Sequence, residues 1–117
     1  MNISIDYQAR IPIYEQIVNK VEYLVAREVL KSGDQIPSIR DLACLLGVNP
    51  NTVKKAYDIL EGKGIIMSRS TKGTFITDNV REAQEQKIEN LFGEIKEKIG
   101  ELKTYGLTNE EIIERIR

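Results

Sequence analysis

The chain contains no histidine and a single cysteine, Cys44, among its 117 residues. Without histidine, the usual zinc constellations and the commonest general base are missing. One thiol forms no internal disulfide, so Cys44 is expected to serve as a small, mostly buried apolar residue. There is no nucleotide-binding loop and no paired-acid motif, so an enzyme is not expected, nor is a metal or a cofactor. No apolar run approaches the roughly 18 to 20 residues of a membrane span, which argues against a membrane partner. The first residues, MNISIDYQARIP, lack the charged-then-apolar layout of a secretion signal. A cytoplasmic protein is the expectation.

A general excess of positive charge is missing as well, since the net charge is −1. Its distribution is uneven. Residues 1–77 carry ten Lys/Arg against eight Asp/Glu, a net +2, and residues 78–117 carry seven against ten, a net −3. Any attraction for nucleic acid must therefore come from local clusters of cations. Hydrophobic residues make up 41% and charged residues 30%, which excludes a mostly disordered chain. The length supports one compact domain plus a small extension.

What is present is a helix-turn-helix pattern in PSIRDLACLLGVNPNTVKKAY, residues 37 to 57. Ala43 lets a second helix approach, Gly47 suits the positive φ of a tight turn, and Val53 docks the second helix on the first. Ser38 is expected to cap the first helix of the pair, with Asp41 completing a weak capping box. Asn49 caps the second, and Pro50 takes its first position. Leu42, Ala43, Leu45 and Leu46 form the buried face of the first, and Val53, Ala56, Tyr57 and Leu60 that of the second.

Upstream, Ile3, Ile5 and Tyr7 alternate with polar residues, as in a short edge strand or an extended arm. From Pro12, apolar residues recur at three- and four-residue intervals from Tyr14 to Val29, which predicts an amphipathic helix ending near Leu30, with Gly33 as its stop. Downstream, Ile65–Arg69 and Thr74–Thr77 read as two strands joined by Ser70–Gly73. A helix-turn-helix followed at once by a hairpin is a winged helix. The expected fold is mainly α with a small β-hairpin wing, over residues 1–77.

Residues 78–117 change texture, with Ile88, Leu91, Phe92, Ile95, Ile99 and Leu102 forming one stripe of a helix from Val80 to Lys103. Gly106 breaks it, and Thr108 with Glu111 makes a capping box for a last short helix carrying Ile112, Ile113 and Ile116. Two such helices close no core alone. Their apolar residues are expected to form a homodimer interface, because a monomer would leave a large exposed patch. No enclosed pocket within one chain is expected, so a small-molecule effector, whose identity is unknown, would bind at an interface.

Candidate contacts to double-stranded DNA fall at three places. Ser38 and Arg40 begin the first helix of the pair, where a hydroxyl and a guanidinium reach phosphate oxygens beside unpaired N–H groups. For Ser38 a plain cap serves equally well. Asn49, Asn51, Thr52, Lys54 and Lys55 lie on the first turns of the second helix, the part that enters the major groove in this motif. Arg69, Lys72 and Gly73 sit at the wing, suited to a flanking backbone or minor groove.

The string GDQIPSIRDLACLLGVNPNTVKKAYDILEGKGII, closed by KGTFI, resembles the DNA-binding domain of the GntR superfamily of bacterial transcription regulators. The resemblance covers roughly residues 10 to 77. It implies operator contacts from Arg40, from Asn49 to Lys54, and from Gly73. The short two-helix tail is similar to that of the YtrA-type subfamily, whose members dimerise through it and often regulate transporter operons. The implied function is a homodimeric regulator, most often a repressor, on an inverted-repeat operator. The competing class is a winged-helix protein–protein module that has abandoned DNA; retention of Lys54, Lys55, Arg69 and Lys72 speaks against it.

Overall fold

A computed structural model describes residues 1–117 as five helices and three short strands. In chain order these are α1 (Ile13–Ala26), β1 (Gln35–Ile36), α2 (Ile39–Leu46), α3 (Pro50–Gly62), β2 (Ile66–Arg69), β3 (Gly73–Ile76), α4 (Val80–Lys103) and α5 (Asn109–Ile116). The architecture is a winged helix with a helical extension, as the sequence implies. No helix is long and apolar enough to cross a membrane.

Two compact units divide the chain, Met1–Ala83 and Gln84–Arg117. In the first, α1 and α2 both pack on α3. Ile17 and Val21 from α1, Leu42 from α2, Val53 and Leu60 from α3, and Ile66 and Ile76 from the sheet are fully buried together. Val80 and Ala83, on the first turn of α4, also belong to this core. Ile3 is buried and Ile5 packs beside it, so the N-terminal segment is an arm laid on the core rather than a paired strand.

The side-chain caps expected at helix starts form, although Asp41 makes no return bond to the Ser38 N–H, so the capping box expected there is only half made. The Ser38 hydroxyl accepts from the Asp41 N–H at 3.1 Å, and the Asn49 side-chain oxygen accepts from the Asn51 N–H at 2.8 Å. Helix ends were harder to read. The first helix stops at Ala26 instead of near Leu30, and Gly33 is not its stop. Glu28 takes the left-handed conformation at φ 60. The Glu28 N–H then reaches the Val25 carbonyl and the Val29 N–H the Leu24 carbonyl, a Schellman ending without its usual glycine. The same ending closes α2 at Gly47 and α3 at Gly64. Ending early turns the chain so that Leu30 is buried, while Val29, expected in the core, is exposed.

The wing carries one strand more than the expected hairpin. The order is β1-β3-β2, all antiparallel, with Gln35 opposite Phe75 and Met67 opposite Phe75 on the other side. Backbone bonds between Gly33, Asp34 and Ile76 continue the β1 pairing. The buried Thr77 hydroxyl donates to the Gly64 carbonyl, joining the end of the sheet to the end of α3.

The second unit contains the rest of α4 and all of α5. Gly106, at φ 89, makes the break. Thr108 and Glu111 form the expected capping box, each side chain bonded to the other residue's N–H. Ile88, Leu91, Phe92, Ile95, Leu102, Ile113 and Ile116 are exposed, and Ile99 is half-buried. Ile112 is different: at 3% exposure it is buried within a single chain and is not part of the exposed stripe.

Candidate nucleic-acid interface

The candidate surface is organised by the segment Gln35–Ser38, which joins β1 to α2. Gln35 Nε2 donates to the Lys72 carbonyl at 3.3 Å, fastening the wing turn. The Tyr57 hydroxyl, on α3, donates to the Pro37 carbonyl at 2.7 Å. Ser38 then caps α2 and sets Arg40 one position into the helix. One short stretch thus ties together the wing, the second helix and the third. Tyr57 is buried, and that burial pushes its phenol above the ordinary tyrosine value of 10.0. A buried tyrosine hydroxyl has to find an acceptor, and here the acceptor is the entry to α2.

Along α3, Asn51, Lys54 and Lys55 are exposed and Thr52 is half-buried, outside the buried set Val53, Ala56, Tyr57 and Leu60. The two lysines are held differently. Lys55 Nζ lies 3.9 Å from the Tyr14 ring centroid on α1, a cation–π contact that leaves its charge uncompensated. Lys54 Nζ pairs with Asp58 at 2.8 Å, one turn further along the helix. The hydrogen bond to Asp58, helped by its charge, holds the Lys54 ammonium above the ordinary lysine range.

At the wing, Ser70 adopts φ 40 and Gly73 φ 117, giving a tight turn. A Cβ at Gly73 would stand 2.5 Å from Gln35 Nε2, the movable end of a side chain, so it is the backbone conformation that calls for glycine here. Arg69 lies over the Phe75 ring at 5.5 Å, and Lys72 is exposed. None of the ion pairs in the chain involves Arg40, Lys55, Arg69 or Lys72. Of the cations singled out from the sequence, Lys54 is thus the one with an acidic partner.

Two expectations for α2 are corrected. Cys44 is exposed, not buried, and Leu45 is 71% exposed. Docking of α2 on α3 covers the narrow arc of Leu42 and Ala43, with Leu46 at its edge, and leaves both of their neighbours outside. Gln35 and Tyr57 were not singled out as site residues. Tyr57 carries a signal, an aromatic hydroxyl at an inward position, whereas Gln35 carries none.

Residues 13–76, which span α1 to β3, match the family described as "Bacterial regulatory proteins, gntR family". The chain belongs to the GntR family. The HTH-type transcriptional repressor YtrA of Bacillus subtilis (strain 168) is 41% identical over 100 residues, covering 86% of this chain and 75% of that protein. A transcriptional regulator from Oenococcus oeni has a crystal structure that superposes with a TM-score of 0.77 at 35% identity, covering 96% of this chain and 93% of that one. YtrA from Sulfolobus acidocaldarius, a GntR-family transcription factor, superposes with a TM-score of 0.65 at 34% identity, covering 97% and 92%. This GntR chain is therefore a transcriptional regulator with a winged-helix DNA-binding domain, of the YtrA type, rather than an enzyme.

Proposed function

We propose that this regulator is a cytoplasmic, homodimeric repressor that binds an inverted-repeat operator, with a transporter operon as the implied target. Residues 1–77 bind the DNA and the helical tail, 78–117, pairs two copies. Repression is supported by the name of the Bacillus relative. In this reading the first turns of α3 enter the major groove, where Asn51, Thr52, Lys54 and Lys55 meet base edges. Asn49 already spends its side-chain oxygen on its cap, so its amide nitrogen is what remains for DNA. Ser38 and Arg40 take phosphates beside the start of α2, and Arg69, Lys72 and Gly73 flank the groove from the wing.

The observation that carries the reading is the set of cations Arg40, Lys55, Arg69 and Lys72, which have no acidic partner on a chain whose net charge is −1. Homodimerisation is supported by the exposed Ile88, Leu91, Phe92 and Ile95 along α4. Two recognition helices related by a twofold axis read an inverted repeat together.

The test is a mobility shift with DNA from upstream of the protein's own gene, at two salt concentrations, for wild type and Arg40→Ala. Wild type should bind with strong salt dependence, and Arg40→Ala should lose about 1 to 3 kcal/mol while staying folded. Failure of the wild type to prefer any DNA sequence would favour the protein–protein module instead.

A further inference from the structure

The helix α2 is eight residues long and rests on α3 through the narrow arc of Leu42 and Ala43, near its middle. That packing leaves the N-terminal end of so short a helix to be fixed by something else. Just ahead of it stands Pro37. Proline has no N–H, and no backbone N–H reaches its carbonyl. The partner of that carbonyl is the Tyr57 hydroxyl, which donates to it at 2.7 Å from the buried side of α3. Arg40 follows three residues later, exposed and in no ion pair. No acidic side chain directs its guanidinium, so its direction is set by the backbone it springs from, the first turn of α2.

We propose that Tyr57 is a positioning residue, whose hydroxyl holds the start of α2 against α3 so that Arg40 is aimed at a DNA phosphate before DNA arrives. The proposal rests on the reading above, in which α3 enters the major groove and Arg40 takes the backbone. Tyr57 shares α3 with Asn51, Thr52, Lys54 and Lys55, but it faces inward. Its bond therefore fixes the distance between the helix that meets bases and the residue that meets phosphate. A contact already in place loses less freedom on binding than one that has to be assembled. The advantage has a ceiling, since a neutral bond of this kind is worth about a factor of five. Within that ceiling, Tyr57 contributes to affinity without touching DNA.

The experiment begins by letting the wild-type protein select operator duplexes from a random library. Wild type, Tyr57→Phe, Arg40→Ala and the double variant are then titrated with the selected duplex. Beside them runs Ile17→Val, which trims a fully buried residue of α1 and lowers stability by a similar amount. Thermal melting checks that each variant is folded. Phenylalanine keeps the ring and its packing, so only the hydroxyl is lost. Tyr57→Phe should bind the operator about two- to fivefold more weakly at each half-site, and Ile17→Val should bind as wild type does. In the Arg40→Ala background the loss from Tyr57→Phe should shrink to about 1.5-fold or less. Equal losses in the two backgrounds overturn the proposal, because Tyr57 would then act on α3 or on the fold at large. Unchanged affinity in Tyr57→Phe overturns it as well, and so does an equal weakening in Ile17→Val, which stability alone would explain. A wild type that enriches no sequence overturns the underlying reading itself.

Discussion

The unit Met1–Ala83 completes its own interior, and the unit Gln84–Arg117 does not. In the first, residues from three helices and the sheet converge on one buried cluster. In the second, nearly every large apolar side chain is exposed and Ile112 alone is buried. Both sets of residues recur with helical periodicity, so the pattern by itself does not separate an inner face from an outer one. The difference lies in partners. The helices α1 and α2 have α3 to pack on, whereas α4 presents its stripe outward over several turns. The first unit is built to be stable as it stands, and the second to be completed by something else, which we take to be its copy.

The largest way to break this contrast is to put charge on the unfinished surface. Leu91→Asp with Ile95→Asp should convert the dimer to monomers and lower operator affinity by about 10²- to 10⁴-fold, the loss of bivalency. Unfolding of the first unit should be unaffected. Sedimentation and a mobility shift would measure both; a wild type that is monomeric at micromolar concentration sinks the dimer. In the finished unit, Leu60→Ala removes a fully buried side chain and should cost about 2 to 5 kcal/mol in a urea melt. If that loss were below about 1 kcal/mol, the core would be far more adaptable than its burial implies.

A smaller effect concerns the join between α3 and α2. Burial raises the Tyr57 phenol above 10.0 in the fold, so the unfolded chain releases its proton first as pH rises. The stability from keeping this group neutral is complete below about pH 10 and is lost above it. Tyr57→Phe should flatten that alkaline loss and cost about 1 kcal/mol at neutral pH, where the bond to Pro37 is given up. An alkaline stability curve identical in both proteins would mean that another group dominates there. Smallest is Glu28→Gly at the end of α1. It relieves a left-handed residue whose contact with Arg81, at 3.7 Å, is highly exposed. It should stabilise the first unit by about 0.5 to 1 kcal/mol. A destabilised variant would show that Glu28 is held there by more than conformation.

Read alone, the sequence determined whatever depends on neighbours within one turn. Ser38, Asn49 with Pro50, and Thr108 with Glu111 begin their helices through bonds spanning two or three residues, and α4 runs over the predicted Val80–Lys103. The winged helix followed from the order of these elements, and the candidate contacts from their positions in the motif. Tertiary structure decided the rest. Gln35–Ile36 is too short for any periodicity and becomes a strand only because β3 offers it an edge. The stop of α1 depends on Leu30 reaching the core, a gain that outweighs the strain at Glu28. Leu45 and Cys44 lie outside because packing on α3 covers only a narrow arc of α2. The pairing of Lys54 with Asp58 was open to a spacing argument, but the tie from Tyr57 to Pro37 crosses 20 residues of chain. Contacts of that range are chosen by how helices and sheet come together, since no local preference encodes them.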